Sequence, residues 1–272
     1  MTSGRRRTVI FGGLLGLGAL ITSFPFIWMV TTSLKPLSES RAYPPTIVPT
    51  TISFDSYVRL FTELDFARYL LNTVIVVAIG FGGMLLVAMA GYGFAKFRFP
   101  GRNAMFLLVL ATMMIPVQVT MIPTYLILNS VGLTNTLLGV ALPTLVGGFG
   151  LFLTRQFMTT IPDEMLEAAR LDGAGEWRIL RSIVLPMSQP ILAVLGVLTF
   201  ITGWNSFLWP LVIATDSDNY TLSVGLSLLN KQLTVSPPLQ MAGASLMVIP
   251  ILIVFVILQR HIVQGFALSG LK

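Results

Sequence analysis

Glu167-Ala168-Ala169-Arg170-Leu171-Asp172-Gly173-Ala174, followed after eight residues by Ile183-Val184-Leu185-Pro186, is the stretch from which the rest of the chain is best read. Around it stand Asp163, Glu164, Glu167, Arg170, Asp172, Glu176, Arg178 and Arg181, in a chain that is otherwise almost uniformly apolar. At about 2.5–3.5 kcal/mol for each mid-bilayer charge, lipid burial of these groups would cost on the order of 20 kcal/mol. The stretch belongs in water, and it is too long to be a simple turn.

Outward from it, the 272 residues are 54% hydrophobic and 10% charged, with a mean hydropathy of +0.84. A soluble domain carries about 25% charged residues, so the composition reads as an all-α, polytopic membrane protein. There is no cysteine, which removes disulfides, thiol nucleophiles and thiolate metal sites. A single histidine, His261, cannot build a metal cluster. Arg5, Arg6 and Arg7 precede an apolar run that stays uncharged over residues 8–34, longer than a signal-peptide core. The expectation is a retained first span.

A spanning helix needs about 20 predominantly apolar residues. Charge-free windows cover 8–34, 69–95, 103–154, 182–215 and 232–259, and the third is long enough for two helices separated by the polar stretch 128–136. The expected spans are therefore six, near 9–32, 70–94, 104–127, 137–155, 187–213 and 243–260. Placing the N-terminus in the cytoplasm puts twelve Lys and Arg inside, against Lys35, Arg41, Arg59, Arg68 and Lys231 outside. That positive-inside bias predicts two cytoplasmic termini and a cytoplasmic 157–186 loop. It also accounts for a net charge of +6 without invoking nucleic acid.

Two larger outside segments follow from this topology. Over residues 53–66, Phe54, Val58, Phe61 and Leu64 recur at helical spacing against Asp55, Arg59, Glu63 and Asp65. Such a helix can lie on the membrane interface or form a docking surface for an extracytoplasmic partner. Residues 214–242 read as a polar second loop.

No spanning window contains Asp, Glu, Lys, Arg or His; Arg155 and Arg260 stand only at the ends of the expected spans. Ion-coupled pumps and intramembrane enzymes place such groups at the midplane, so the chain reads as neither, although broken-helix carbonyls can still bind Na⁺. A Gly-x-x-x-x-Gly-Lys-Ser/Thr phosphate loop is also missing from the sequence. Energised transport would need nucleotide hydrolysis by another subunit.

Local chemistry makes 161–186 a helix, a corner and a second helix. Pro162 suits a first turn, and Asp163 and Glu164 complement the helix dipole. Met165, Leu166, Ala169 and Leu171 supply apolar contacts. Gly173 and Gly175 are expected to admit positive φ and close the helix. Residues 176–184, with Trp177, Ile179, Leu180 and Ile183, should form the second helix, ended by Pro186. The pattern allows a helix seated in another protein's groove or one packed beneath its own bundle.

Here the spacing Glu-Ala-Ala-x-x-x-Gly, nine residues, Ile-x-Leu-Pro resembles the EAA loop of membrane subunits in bacterial type I ABC importers. Asp172-Gly173-Ala174, Phe97-Arg98-Phe99-Pro100-Gly101, Ile122-Pro123-Thr124-Tyr125, Gly132-Leu133-Thr134-Asn135-Thr136 and Trp204-Asn205 are similar to the carbohydrate-uptake branch, in particular the second permease of maltose-type importers. The resemblance implies a non-catalytic translocation subunit of the cytoplasmic (inner) membrane, with coupling residues Glu167, Ala168, Ala169, Asp172, Gly173 and Ala174. It implies a homologous second permease, an ATPase dimer that binds the ATP and Mg, and an extracytoplasmic solute-binding protein. No cofactor or metal is expected in this chain. The C-terminal Ser269-Gly270-Leu271-Lys272 departs from the branch's usual ending. The expected cargo is a sugar or oligosaccharide, with glycerol phosphate, a glycerophosphodiester or an amino sugar as alternatives, and a self-sufficient channel as the reading from another class. Replacement Gly173→Asp is expected to uncouple transport without preventing membrane insertion.

Candidate pathway groups lie in two spans. Trp204 and Asn205 stand deep in an apolar window, where an amide needs a partner. They can contact sugar, bridge helices or satisfy a broken backbone near Pro210. Trp209 reads as an interfacial anchor. Gln118 and Thr120 lie between Pro116 and Pro123, which are expected to kink the helix and free carbonyls along a pathway wall. The glycines, including Gly12-x-x-x-Gly16, allow close helix approach, and the methionines read as gap-filling core.

Overall fold

The computed structural model describes residues 3–229 and 236–269. Lys231, within the second outer loop, and the terminal Gly270, Leu271 and Lys272 lie outside the described residues. Every described element is helical, and no strand occurs among them. The chain divides into two compact units, Met1–Ala67 with Gly225–Pro250, and Arg68–Val224 with Ile251–Lys272.

In the first unit the helix Ser3–Ser33 carries a 24-residue apolar window, Ile10–Ser33. Its Leu15, Leu20 and Phe11 side chains are exposed, as expected of a helix solvated by lipid rather than water. The loop after it is built around two charges. Lys35 is buried, lies 5.0 Å from the Trp28 ring and donates to the Thr46 carbonyl. Glu39 accepts from the Thr46 hydroxyl and the Thr50 amide at 2.8 and 2.9 Å. These bonds, led by the Thr50 amide, hold its carboxyl down at about 2.

Helix Asp55–Glu63 keeps the apolar stripe read in the sequence on its outer side and packs inward through another face. Ser56 and Leu60 are buried, whereas Phe54, Val58 and Phe61 are exposed. The register follows from Tyr57, whose hydroxyl pairs with Ser33 at 2.8 Å. The exposed stripe is the amphipathic face seen in the sequence. Close approach recurs at Gly243, where a Cβ would stand 2.4 Å from Leu226.

The second unit holds one long apolar helix, Phe66–Lys96, which begins at the unit boundary, and three helix pairs bent at short breaks. Arg102–Thr112 meets Val117–Ser130 at 102°, Leu137–Thr144 meets Gly148–Met158 at 46°, and Glu176–Met187 meets Gln189–Trp204 at 79°. Among the described residues three helices are long and apolar enough to cross a membrane, and counting each bent pair as one span raises that number to six.

Helix breaks fall inside three of the expected spans, 137–155 being divided at residues 145–147. Where 104–127 was expected to be one kinked helix, residues 113–116 break it outright. Pro116 caps the following helix in an extended conformation (ψ 134°), while Pro123 is accommodated inside it. The expected 187–213 span is likewise divided, ending as a helix at Trp204 and resuming over Leu208–Ile213.

Candidate functional site

The charged loop builds its geometry from the glycine corner. Helix Asp163–Leu171 stops at Asp172, and Gly173 follows with φ +81°, the left-handed conformation in which a side chain is strained. Gly175 differs from expectation: its φ is −72°, and it serves as the extended N-cap of Glu176–Ile179. One left-handed residue is enough to make the turn. The second helix then runs into a π-helical turn over Leu180–Val184. Pro186 does not end it. The proline sits within Leu185–Met187 and the chain bends at Ser188, two residues later than predicted. A wider turn just before the proline accommodates its missing N–H without breaking the helix.

The inward face of this helix pair joins a core of Ala88, Tyr92, Met158, Leu166, Ile179 and Val184. Leu166, Ile179 and Leu180 are buried as their spacing predicts. Met165, Leu171 and Trp177, expected to pack, are instead 43%, 89% and 64% exposed. Glu167, Ala168, Asp172 and Gly173 share that exposure, while Ala169 and Ala174 are partly covered. Glu167 makes no hydrogen bond or ion pair among the described residues. The structure thus separates the candidate coupling residues into an outward group and two alanines at the seam.

Two residues that sequence reasoning overlooked hold the loop in place. Lys96, counted only as a topology charge, donates to Asp163 Oδ1 at 2.7 Å and to the Ile161 carbonyl. Its side chain is only 5% exposed. One turn earlier, the Tyr92 hydroxyl donates to Glu176 Oε2 at 2.9 Å, and Arg170 Nε donates to Glu176 Oε1 at 2.6 Å. The Lys96 ammonium holds the Asp163 carboxyl below the usual carboxylate range. The Arg170 hydrogen bond does the same for Glu176, supported by Tyr92 and opposed by partial desolvation. Both carboxylates are therefore ionised at neutral pH.

The candidate pathway residues are not brought together. Trp204 is buried, with its ring stacked on Phe200 at a centroid distance of 5.3 Å, and its carbonyl accepts from the Ser223 hydroxyl at 3.2 Å. Asn205 is exposed at the helix end, as are Gln118 and Thr120. Thr120 returns its hydroxyl to the Val117 carbonyl at 3.0 Å. Trp209 is no lipid anchor: its indole N–H donates to the Gly139 carbonyl at 3.1 Å, and the ring packs on the cluster of Val76, Val140 and Ile213. A cavity of about 290 Å³ lies elsewhere, between Phe66–Lys96 and Gln189–Trp204, with Thr144, Thr199 and Thr202 among otherwise apolar walls. Threonines inside apolar windows were the available signal, but nothing in their spacing marked them as convergent.

A bundle of broken apolar helices with one clamped, charged, outward-facing loop defines a membrane transport subunit. The family model described as "Binding-protein-dependent transport system inner membrane component" matches residues 83–267, and the chain belongs to that family of ABC importer permeases in the inner membrane. It is 33% identical to the arabinooligosaccharides transport system permease protein of Halalkalibacterium halodurans, over 98% of this chain and 99% of that one. It is 36% identical to the sn-glycerol-3-phosphate transport system permease protein of Rhizobium meliloti, with 93% of each chain covered. Among solved structures, a chain of a bacterial ABC transporter involved in the import of the acidic polysaccharide alginate superposes with a TM-score of 0.86 at 25% identity, covering 96% of this chain and 98% of that one.

Proposed function

We propose that the chain is the second of two homologous permeases in an ATP-driven importer of a sugar or oligosaccharide. In this reading it crosses the membrane six times, with both termini and the 157–186 loop in the cytoplasm. The loop seats on a separate ATPase dimer, which carries the ATP and Mg, and an extracytoplasmic binding protein delivers the cargo. The chain itself catalyses no reaction.

The observation that carries this reading is the two-sided loop. Its inner face is buried and ion-paired to the chain's own helix, while Met165, Leu171 and Trp177 stand exposed beside Glu167 in a segment too charged for lipid. Large apolar side chains kept exposed in water point to an interaction surface, and a short helix flanked by charge suits another protein's groove. Glu167 and Ala168 would enter that groove, with the Gly173 corner fixing the angle of entry. Co-purification of an ATP-hydrolysing chain with the tagged wild type, lost in Met165→Asp with Leu171→Asp, is the expected result. Retention of that chain by the double variant would overturn the reading.

Carbohydrate is favoured over glycerol phosphate by the candidate pathway chemistry. The cavity between Phe66–Lys96 and Gln189–Trp204 has uncharged walls whose polar side chains are Thr144, Thr199 and Thr202, and hydroxyl groups suit a neutral polyol, whereas a phosphate calls for Arg or Lys. The similarity to the sn-glycerol-3-phosphate permease keeps the second cargo in view. Mass spectrometry of the ligand retained by the cognate binding protein distinguishes the two.

A further inference from the structure

The contacts of Tyr92 and Lys96 reach further than loop stability. They lie four residues apart, hence one above the other on the same face of the Phe66–Lys96 helix. Each grips a different part of the charged loop. Lys96 holds the start of the first helix through Asp163 and the Ile161 carbonyl. Tyr92 holds the start of the second helix through Glu176, which Arg170 ties back across the corner to the end of the first. A single attachment would let the loop pivot. Two attachments separated by one helical turn, with Leu166 and Ile179 buried between loop and bundle, remove that freedom.

The same helix end is also fixed from another side. At Gly91 the helix approaches Gly148–Met158 so closely that a Cβ would lie 2.5 Å from the Thr154 methyl. The loop, the end of Phe66–Lys96 and the end of Gly148–Met158 are therefore joined by polar grips and by direct contact.

We propose that Tyr92 and Lys96 are positioning residues that make the 163–184 segment and the Phe66–Lys96 helix one lever, so that a push on the loop is delivered to this helix rather than absorbed by the corner. The inference rests on the reading of the loop as the ATPase contact. Each acts through the loop it holds, Lys96 through the Asp163 carboxylate and the Ile161 carbonyl and Tyr92 through the Glu176 carboxylate.

The sequence has no cysteine, so on this chain label attaches only at the introduced positions. In the assembled transporter in nanodiscs, labels at Glu164→Cys with Leu85→Cys report the Lys96 grip, and labels at Arg178→Cys with Leu85→Cys report the Tyr92 grip. Each distance is measured without nucleotide and with ATP plus vanadate. The expected wild-type result is one narrow distribution for each pair, unchanged by nucleotide. Lys96→Met should lose the narrow peak for the first pair, and Tyr92→Phe, which removes only a hydroxyl, should lose it for the second. The charge exchange Lys96→Asp with Asp163→Lys should bring the first peak back, which a purely packing role for Lys96 would not do. Wild-type distances in both variants and both nucleotide states would overturn the lever, and so would a wild-type distance that shifts with nucleotide. If no ATP-hydrolysing chain assembles with the wild type, the ATPase reading fails, and the widths measured in nucleotide-free protein still judge the two grips.

Discussion

Gly91 and Thr154 bring two helices into backbone contact: a Cβ built at Gly91 would sit 2.5 Å from Thr154 Cγ2 and 3.1 Å from the Arg155 amide nitrogen. Small residues at a helix crossing are how membrane bundles gain dispersion energy, because lipid offers no hydrophobic drive toward association. Gly93, two residues along, meets nothing within 4 Å in its own chain. Gly91→Ala is therefore expected to lower the Tm of the detergent-purified chain, overpacking of this kind costing about 1–3 kcal/mol. Gly93→Ala should leave the Tm unchanged or raise it, since alanine is favoured over glycine within a helix by about 0.5–1 kcal/mol. A thermal melt of the two variants side by side checks the contrast. Equal shifts would count against the close crossing.

Gly173 is a different kind of glycine. Its φ is +81°, yet a Cβ there would meet nothing within 4 Å. Steric room is available, and only the backbone conformation selects glycine. A left-handed residue other than glycine costs roughly 1–2 kcal/mol, least for Asn and Asp. The Gly173→Asp replacement suggested by the sequence is thus a mild test of the corner. Gly173→Val is the stronger one, because branching at Cβ is least compatible with that φ. The expected order of lost uptake per ATP hydrolysed is Val, then Ala, then Asn, with complex yield unchanged. An order that followed side-chain volume, or a loss of assembled complex in step with uptake, would point to a contact rather than a turn.

Much of the fold was legible because lipid imposes a simple rule: long uncharged windows must become helices. The charged loop was equally plain, and Leu166, Ile179 and Leu180 were buried as helical spacing predicts. What spacing could not supply was the identity of distant partners. Lys96 reads as one more inside charge until Asp163, 67 residues away, is placed beside it. Trp209 reads as an interfacial anchor until Gly139, 70 residues away, presents its carbonyl. The breaks were also hidden: two prolines seven residues apart look alike, yet Pro116 starts a helix and Pro123 lies inside one. Helical propensity does not say whether neighbouring structure will satisfy the freed carbonyls or bend the chain away.

Glu39 provides a pH test of the loop that follows the first helix. Its carboxyl is held at about 2 by the Thr50 amide, with further bonds from the Thr50 and Thr46 hydroxyls and the Thr51 amide. The folded value lies below the ordinary value of 4.5, so the ionised form is the one the folded loop favours. The stabilisation is then present above pH 4.5, and is lost as pH falls toward 2. Amide exchange at Thr50 and Thr51, corrected for intrinsic rates, should stay protected at pH 4 and lose protection toward pH 2. Glu39→Gln should exchange faster at neutral pH and show little of this dependence. A wild-type profile that falls at pH 4.5 would mean that the carboxylate is not held by these donors.

Asn135 joins two loops that lie 80 residues apart in sequence. Its φ is +55°, its own N–H donates to the Ile213 carbonyl at 2.9 Å, and its Oδ1 accepts from the Thr215 and Asp216 amides at 3.0 Å each. Its Nδ2 donates to Asp216 Oδ2 at 2.6 Å, and its carbonyl accepts from Asn219 Nδ2 at 2.8 Å. Three of these bonds belong to the side chain. At about 0.5–1.5 kcal/mol net for each, Asn135→Ala should destabilise the folded chain by roughly 2–4 kcal/mol. Asn135→Gly loses the same bonds but escapes the left-handed strain, and should be about 1 kcal/mol less damaging. Asn135→Asp keeps both acceptor bonds and exchanges the donor for a carboxylate against Asp216. Its cost should therefore shrink as salt is raised, because exposed like charges are screened within about 8 Å at physiological ionic strength. The Ala and Gly variants should show no such recovery. Thermal melts of the four proteins across a salt series separate charge repulsion from lost hydrogen bonding, and a salt-independent Asn135→Asp would show that Nδ2 does not face the Asp216 carboxylate.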